Sequence, residues 1–348
     1  MVSRLNELIE KDKGNSYIIA EVGQAHDGSL GLAHRYIDVA ADCGADAVKF
    51  QTHFAKHESS SKDSFRVNIF PQDKSRFDYW QRIEFTAEQW FNLSQHAKSL
   101  GIDFLSSAFS CEAVKVLQDC DVVAWKIASG EIENYPMLDL MKATDKPFLI
   151  STGMSSLDEI DEIIQYLGDN TKCLFHCTSE YPTSAKTVGL NNISELKQFG
   201  LCVGFSDHSG EVAAAIAART LGARIFENHI TLSKKSFGPD VSSSLDPTQF
   251  RLLVDSIKYL DEASAHAMSK DTFAASASEM RRLFSRSIVI SRDLKSGESI
   301  SGEDLSYLKP GNGISAKHYR QVIGAIAKED LPAGTFLDWN MIAKDQLN

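Results

Sequence analysis

Between Tyr17 and about Leu260 the chain repeats one pattern eight times: a short apolar run followed by a segment with helical spacing. The runs are Tyr17–Glu21, Ala47–Gln51, Asp103–Ser107, Ala124–Ile127, Pro147–Ser151, Lys172–His176, Val203–Ser206 and Arg224–His229. Most are apolar throughout rather than alternating, as strands covered on both faces must be. The intervening segments carry helix signals. Leu30 to Cys43 repeats apolar residues at helical spacing, and Thr86 with Gln89 and Ser156 with Glu159 form capping-box pairs. Asp246-Pro247 offers a cap followed by proline in the first helical turn. Eight β/α units in about 250 residues predict an α/β fold of the (β/α)8 TIM-barrel type. An open doubly wound sheet is the rival, but no Gly-x-Gly-x-x-Gly turn follows the first strand.

The chain has 348 residues, 43% of them hydrophobic, more than one core usually organises. The expected division is a barrel over 1–265, a linker over 266–284 and a small β-rich domain over 285–348, whose short runs are separated by turns such as Ser296-Gly297. A formal net charge of −11 without a basic run disfavours nucleic acid as a partner. No apolar stretch approaches the roughly 18 residues that span a bilayer, and Met1–Asn15 is too polar for a secretory signal, so a soluble, cytoplasmic protein is expected. Six scattered cysteines without a Cys-x-x-Cys pair read as buried free thiols. The segment His53–Phe85 is too long and polar for a plain connection and reads as a lid or substrate loop, packed by Phe77, Tyr79, Trp80 and Phe85.

Polar residues gather at the carboxyl ends of the proposed strands, where barrel enzymes keep their chemistry. Lys49 and Lys126 stand out, because a buried ammonium needs a carboxylate or a bound anion. The bland reading pairs them with Glu21 and Glu131. The functional reading adds Ser129, Ser151 and Ser206 as hydroxyl donors around a phosphate or carboxylate. His208 and His229 end successive strands, so both imidazoles reach one rim and can share a divalent ion with open positions; otherwise one is a core and one a surface histidine. Gly130, Gly204 and Gly222 read as turn or close-packing glycines. Cys177 and Ser179 follow His176 closely, but proximity in sequence is poor evidence of a nucleophile, and His176 reads as a core residue.

Several motifs resemble the sialic acid synthase family. They are Ile19-Ala20-Glu21-Val22-Gly23, Gly44 to Thr52, Lys126 to Glu131, Ser151-Thr152-Gly153-Met154, His176 to Pro182, Phe205 to Ser209 and Gly238-Pro239-Asp240, in family order. The stretch from Ser285 resembles the antifreeze-like (SAF) domain that closes these synthases. The resemblance implies condensation of phosphoenolpyruvate with N-acetylmannosamine, or another N-acetylated hexose, to a nine-carbon 2-keto acid and phosphate. It also implies a domain-swapped homodimer and a divalent cation, Mn2+ first, with Mg2+ or Co2+ as alternatives. Lys49, Ser107, Lys126, Ser129, Ser151 and Ser206 match the donor-binding set. Gln51, Tyr181 and Asp240 match acceptor contacts, His208 and His229 metal ligands, and Glu21 and Glu131 carboxylates near the reacting carbons.

The chain departs from the family pattern at three places. Lys309 stands before Pro310-Gly311 where the family usually carries the arginine that reaches the sugar; Ala25-His26-Asp27-Gly28 and Ser179 also differ. These changes leave room for a 2,4-diacetamido-6-deoxy hexose and a legionaminate- or pseudaminate-type product. A sugar-binding barrel without turnover, and a synthase using a sugar phosphate, are the competing functions.

Overall fold

The computed structural model describes residues 4–11, 15–60, 62–65, 71–266 and 268–343. The signal-peptide reading of the N-terminus and the last five residues of the C-terminal domain fall partly or wholly outside them. Two compact units emerge, Met1–Ala265 and His266–Asn348.

In the first unit the eight strands are β1 (Tyr17–Gly23), β2 (Ala47–Thr52), β3 (Asp103–Ala108), β4 (Trp125–Ile127), β5 (Phe148–Ser151), β6 (Thr171–Cys177), β7 (Cys202–Asp207) and β8 (Ile225–His229). All bonded pairs are parallel, in the order β3-β2-β1-β8-β7-β6-β5-β4, and β3 and β4 lie side by side without a bonded ladder. The result is a nearly closed β/α barrel. Strand ends fall within two residues of those expected, because each apolar run stops where the chain must turn outward into a polar loop or helix cap. Both predicted capping boxes form, at Thr86 and Ser156.

Side chains alternate across the strands, and the two sets have separate jobs. One set, with Ile18, Val48, Phe50 and Phe205, packs beneath the surrounding helices. The other points into the barrel, where Tyr17, Ile19, Ala47, Leu105, Ala124, Leu149, Cys173, Phe175 and Ile225 form an apolar plug that also meets Leu5 and Leu8 of the helix Arg4–Lys11. Gly204 has to be glycine here. A Cβ at that position would stand 2.8 Å from two ring carbons of Phe175 and 3.0 Å from the Ile225 carbonyl.

The segment after β2 carries the helices Ala55–Glu58 and Arg76–Ile83. Tyr79, Trp80 and Ile83 are buried there in a small cluster with Ala55. His176 is the core residue expected, its Nε2 lying 2.7 Å from the Val188 carbonyl.

The second unit begins with the helices Lys270–Ser276 and Ser278–Phe284 within the expected linker. Beyond them β9 (Ser287–Ile290) pairs antiparallel with β10 (Leu305–Leu308), and β11 (Ile326–Ala327) with β12 (Ile342–Ala343). Ile288, Ile290, Leu294, Ile300, Leu331 and Leu337 lie at its core. Among the described residues no helix is long and apolar enough to cross a membrane.

Candidate active site

Above the apolar plug, the same inward-facing positions become ionic. Glu21, Lys49 and His229 lie at one level, because β1 pairs Glu21 with Lys49 of β2 on one side and with His229 of β8 on the other. Lys126 reaches in from β4, and its ammonium sits 4.6 Å above the Phe175 ring, the top of the plug. A cavity of about 420 Å³ opens over this layer.

Two lysines and two carboxylates form its base. Lys49 Nζ lies 2.9 Å from Glu21 Oε2 and 3.7 Å from Glu227 Oε1, and donates to Ser107 Oγ at 3.3 Å. Lys126 Nζ donates to Ser151 Oγ at 2.6 Å and lies 3.3 Å from Glu227. Ser206 Oγ also donates to Glu227, at 3.2 Å. All four charged side chains are at most 5% exposed. Burial alone would push the Lys49 pKa down, but Glu21 and Glu227 outweigh it and hold that pKa above the ordinary lysine value. Burial opposes ionisation of Glu227 too, and the two adjacent ammoniums pull its pKa well below the usual carboxylate range. Lys49 and Glu227 are thus held in their charged forms despite burial, and the two lysines are matched in number by two carboxylates.

This pairing corrects one expectation. Glu131 does not meet Lys126; its Oε2 accepts from Asn134 Nδ2 at 2.8 Å, and the residue does not line the cavity. The short β4 ends at Ile127, so Glu131 falls in the following turn, while Glu227 lies within β8 and faces inward. Sequence held the signal for Glu227: it shares the inward parity of His229, two residues on.

The two imidazoles come together as expected, with ring centroids 5.4 Å apart. His208 Nδ1 donates to the Thr178 carbonyl at 2.8 Å, leaving Nε2 as an acceptor 3.1 Å from the Tyr181 hydroxyl. Burial, reinforced by neighbouring His229, lowers the His208 pKa to about 3, so the ring is neutral. Among the described residues no three His, Cys, Asp or Glu side chains converge on a closed metal centre. A neutral imidazole anchored through its far nitrogen to a carbonyl, beside a second imidazole, fits instead a two-donor site completed by water and substrate.

Gln51, Ser129, Ser179, Tyr181 and Asp240 also line the cavity. Ser129 Oγ accepts from the Gly153 amide at 3.1 Å. Cys177 lines it as well, but burial raises its thiol pKa, which argues against an activated nucleophile. His26 turns away into packing, its ring 4.6 Å from Phe85. Lys309 belongs to the second unit, where its Nζ lies 5.0 Å from the Phe284 ring. Three cavity residues had no sequence signal, Gln24, Phe109 and Arg76. Arg76 is held by Asp63 at 3.3 Å and lies over Trp80.

Comparison with known proteins fits this geometry. The NeuB family matches residues 36–269 and the SAF domain residues 285–343. An N,N'-diacetyllegionaminic acid synthase from Campylobacter jejuni is 37% identical over 90% of this chain and 96% of its own length. The human N-acetylneuraminate-9-phosphate synthase is 35% identical over 71% of this chain and 70% of its own. Among solved structures, an N-acetylneuraminic acid (sialic acid) synthetase from Leptospira borgpetersenii in complex with citrate is 27% identical, with a TM-score of 0.67 over 77% of this chain and 93% of that one. The chain belongs to the NeuB family, the phosphoenolpyruvate-dependent nonulosonate synthases that its motifs resemble.

Proposed function

We propose that this synthase condenses phosphoenolpyruvate with a 2,4-diacetamido-6-deoxy hexose, giving a legionaminate-type nine-carbon 2-keto acid and phosphate. The observation that carries the donor assignment is the base of the cavity, where each buried lysine stands beside a serine hydroxyl and a carboxylate. The acceptor assignment rests on the legionaminic acid synthase, 37% identical over 90% of this chain, against 31% over 92% for the N-acetylneuraminate-9-phosphate synthase of Drosophila melanogaster. N-acetylmannosamine, the acceptor first expected, is the comparator.

In this reading Lys49 with Ser107, and Lys126 with Ser151, present ammonium and hydroxyl donors to the carboxylate and phosphate of the donor, and Ser129 and Ser206 add hydroxyls. The two lysines are matched in number by the two carboxylates, so an anionic donor needs further positive charge, which Arg76 and a bound cation can supply. Held by His208 and His229, a divalent cation, Mn2+ first and Mg2+ or Co2+ as alternatives, would polarise the acceptor aldehyde. Gln51, Ser179, Tyr181 and Asp240 orient the sugar.

Carbon C3 of the donor then bonds to the aldehyde carbon as the carbonyl π pair moves onto the aldehyde oxygen, which is protonated to a hydroxyl, and Glu21 stabilises the positive charge left at C2. As water adds at C2, Glu21 takes its proton, and the adduct loses phosphate by C–O cleavage to leave the keto acid. Glu21 is favoured over Glu131 because it lines the cavity. The working form in this reading is a domain-swapped homodimer in which Lys309 reaches the sugar, with sedimentation as the check on its size.

The deciding assay combines protein, Mn2+, phosphoenolpyruvate and a panel of acetamido hexoses, with phosphate release and product mass as readouts. No phosphate with any sugar would sink the synthase reading, and a higher kcat/KM for N-acetylmannosamine would overturn the acceptor. His229→Ala is predicted to stay folded by circular dichroism and to lose metal-dependent turnover and bound metal; full activity would refute its ligand role.

A further inference from the structure

We propose that His53 is a positioning residue for this site, holding Gln51, and through it the Glu21 carboxylate, in the orientation that faces Lys49. The inference deepens the proposed function and rests on it for its kinetic test. His53 follows the last residue of β2 and is only 4% exposed. Its ring lies flat between Trp80, at 3.7 Å and 14°, and Phe109, at 4.4 Å and 20°. One wall of this slot comes from the helix Arg76–Ile83 and the other follows β3. His53 itself does not line the cavity.

Its two nitrogens face two oxygens. Nδ1 is 2.7 Å from Glu58 Oε1, on the short helix that follows β2, and Nε2 is 3.3 Å from Gln51 Oε1. The Gln51 amide nitrogen donates to Glu21 Oε1 at 2.9 Å, while its carbonyl accepts from Gln24 Nε2 at 2.9 Å. The second Glu21 oxygen meets Lys49, also at 2.9 Å. One line of contacts thus runs from Glu58 through His53, Gln51 and Glu21 to Lys49.

The line resolves an ambiguity that glutamine alone leaves open. Rotated by half a turn, the Gln51 amide would present its oxygen to the Glu21 carboxylate, setting acceptor against acceptor. Gln24 Nε2 donates to its carbonyl and His53 Nε2 stands 3.3 Å from the same oxygen, so that flip would set donor against donor at Gln24 and carry the oxygen away from His53. If the ring only filled the aromatic slot, another flat ring would serve equally well.

His53→Phe separates the two roles, keeping the stack and removing both nitrogen contacts. We expect a Tm within about 5 °C of wild type, kcat lower by about 30-fold, and a phosphoenolpyruvate KM unchanged within about twofold. His53→Gln, whose amide nitrogen can still donate to Gln51, should recover much of the lost kcat. Should His53→Phe not fold, Glu58→Ala leaves the stack intact and should lower kcat by about fivefold.

Unchanged kcat in folded His53→Phe, or a Gln variant as slow as the Phe variant, would overturn the proposal. A crystal structure of His53→Phe tests it without turnover: the Gln51–Glu21 contact should be lost or reoriented, and its retention refutes the role even if wild type proves inactive on every sugar. Wild-type inactivity on its own would fault the functional reading.

Discussion

The lower and upper halves of the barrel interior are built by the same eight strands with the same inward parity, yet they hold opposite chemistry. Below, Tyr17, Ile19, Leu105, Leu149, Phe175 and Ile225 exclude water and stabilise the fold at about 25 cal/mol for each Å² of apolar surface buried. Above, Glu21, Lys49, Lys126 and Glu227 are buried as deeply but as charges, whose desolvation offsets much of their mutual attraction. The lower half is what a barrel needs in order to fold. The upper half contributes little net stability and makes sense only as preorganised charge for a substrate.

The largest expected effect separates the halves directly. Lys126→Met should lower turnover by about 1000-fold or more and, by leaving Glu227 short of a cation, cost about 3–5 kcal/mol of stability. Adding Glu227→Gln should restore most of that stability in urea unfolding while turnover stays lost. A double variant that regains activity would break the assignment of the upper half to function.

In the lower half the expectation reverses. Ile225→Ala should cost about 2–5 kcal/mol, with kcat per folded molecule unchanged within about twofold. A large fall in kcat would show that the plug is not chemically silent.

Gly204→Ala tests the boundary between them. Its methyl would press on Phe175, the ring that carries Lys126. We expect a loss of about 1–3 kcal/mol together with a raised donor KM, and a stability loss with no kinetic change would show that the two halves are uncoupled.

The effect that is smallest at neutral pH lies outside both halves. Burial, and secondarily His53, lowers the His26 pKa to about 3, and its Nδ1 accepts from the Gly28 amide. The folded state thus refuses a proton that the unfolded chain takes below about pH 6.5. Stability from this group is complete above that pH and falls towards pH 3, by at most about 1.4 kcal/mol per pH unit. His26→Leu should flatten that part of the pH profile; an unchanged slope would mean that other groups set it.

Much of this architecture is legible in the sequence. The eight runs place the strands because buried parallel strands are continuously apolar, and His208 and His229 are found because equivalent ends of consecutive units share a rim. Lys49, Lys126, Ser107 and Ser151 follow from the oddity of polar side chains ending core strands. The pairing of Lys126 with Glu131 does not form because Glu131 lies in the turn after β4, where it accepts from Asn134 instead. Arg76, Gln24 and Phe109 were missed because they reach the cavity from loops and a helix whose path no periodicity records. His53 drew no notice because a ring in an aromatic slot leaves no pattern in the chain.

The sequence by itself determined the strand and helix alternation, the inward parity of each strand and the level at which polar residues replace apolar ones. These are local properties, set by the repeat of the backbone and by where apolar surface must be buried. Only the tertiary structure decided that Glu227 stands between the two lysines and that His53 braces Gln51. Such contacts depend on strand register and on how the ring of strands closes, and Coulomb pairing and hydrogen bonding act on distance in space rather than separation along the chain.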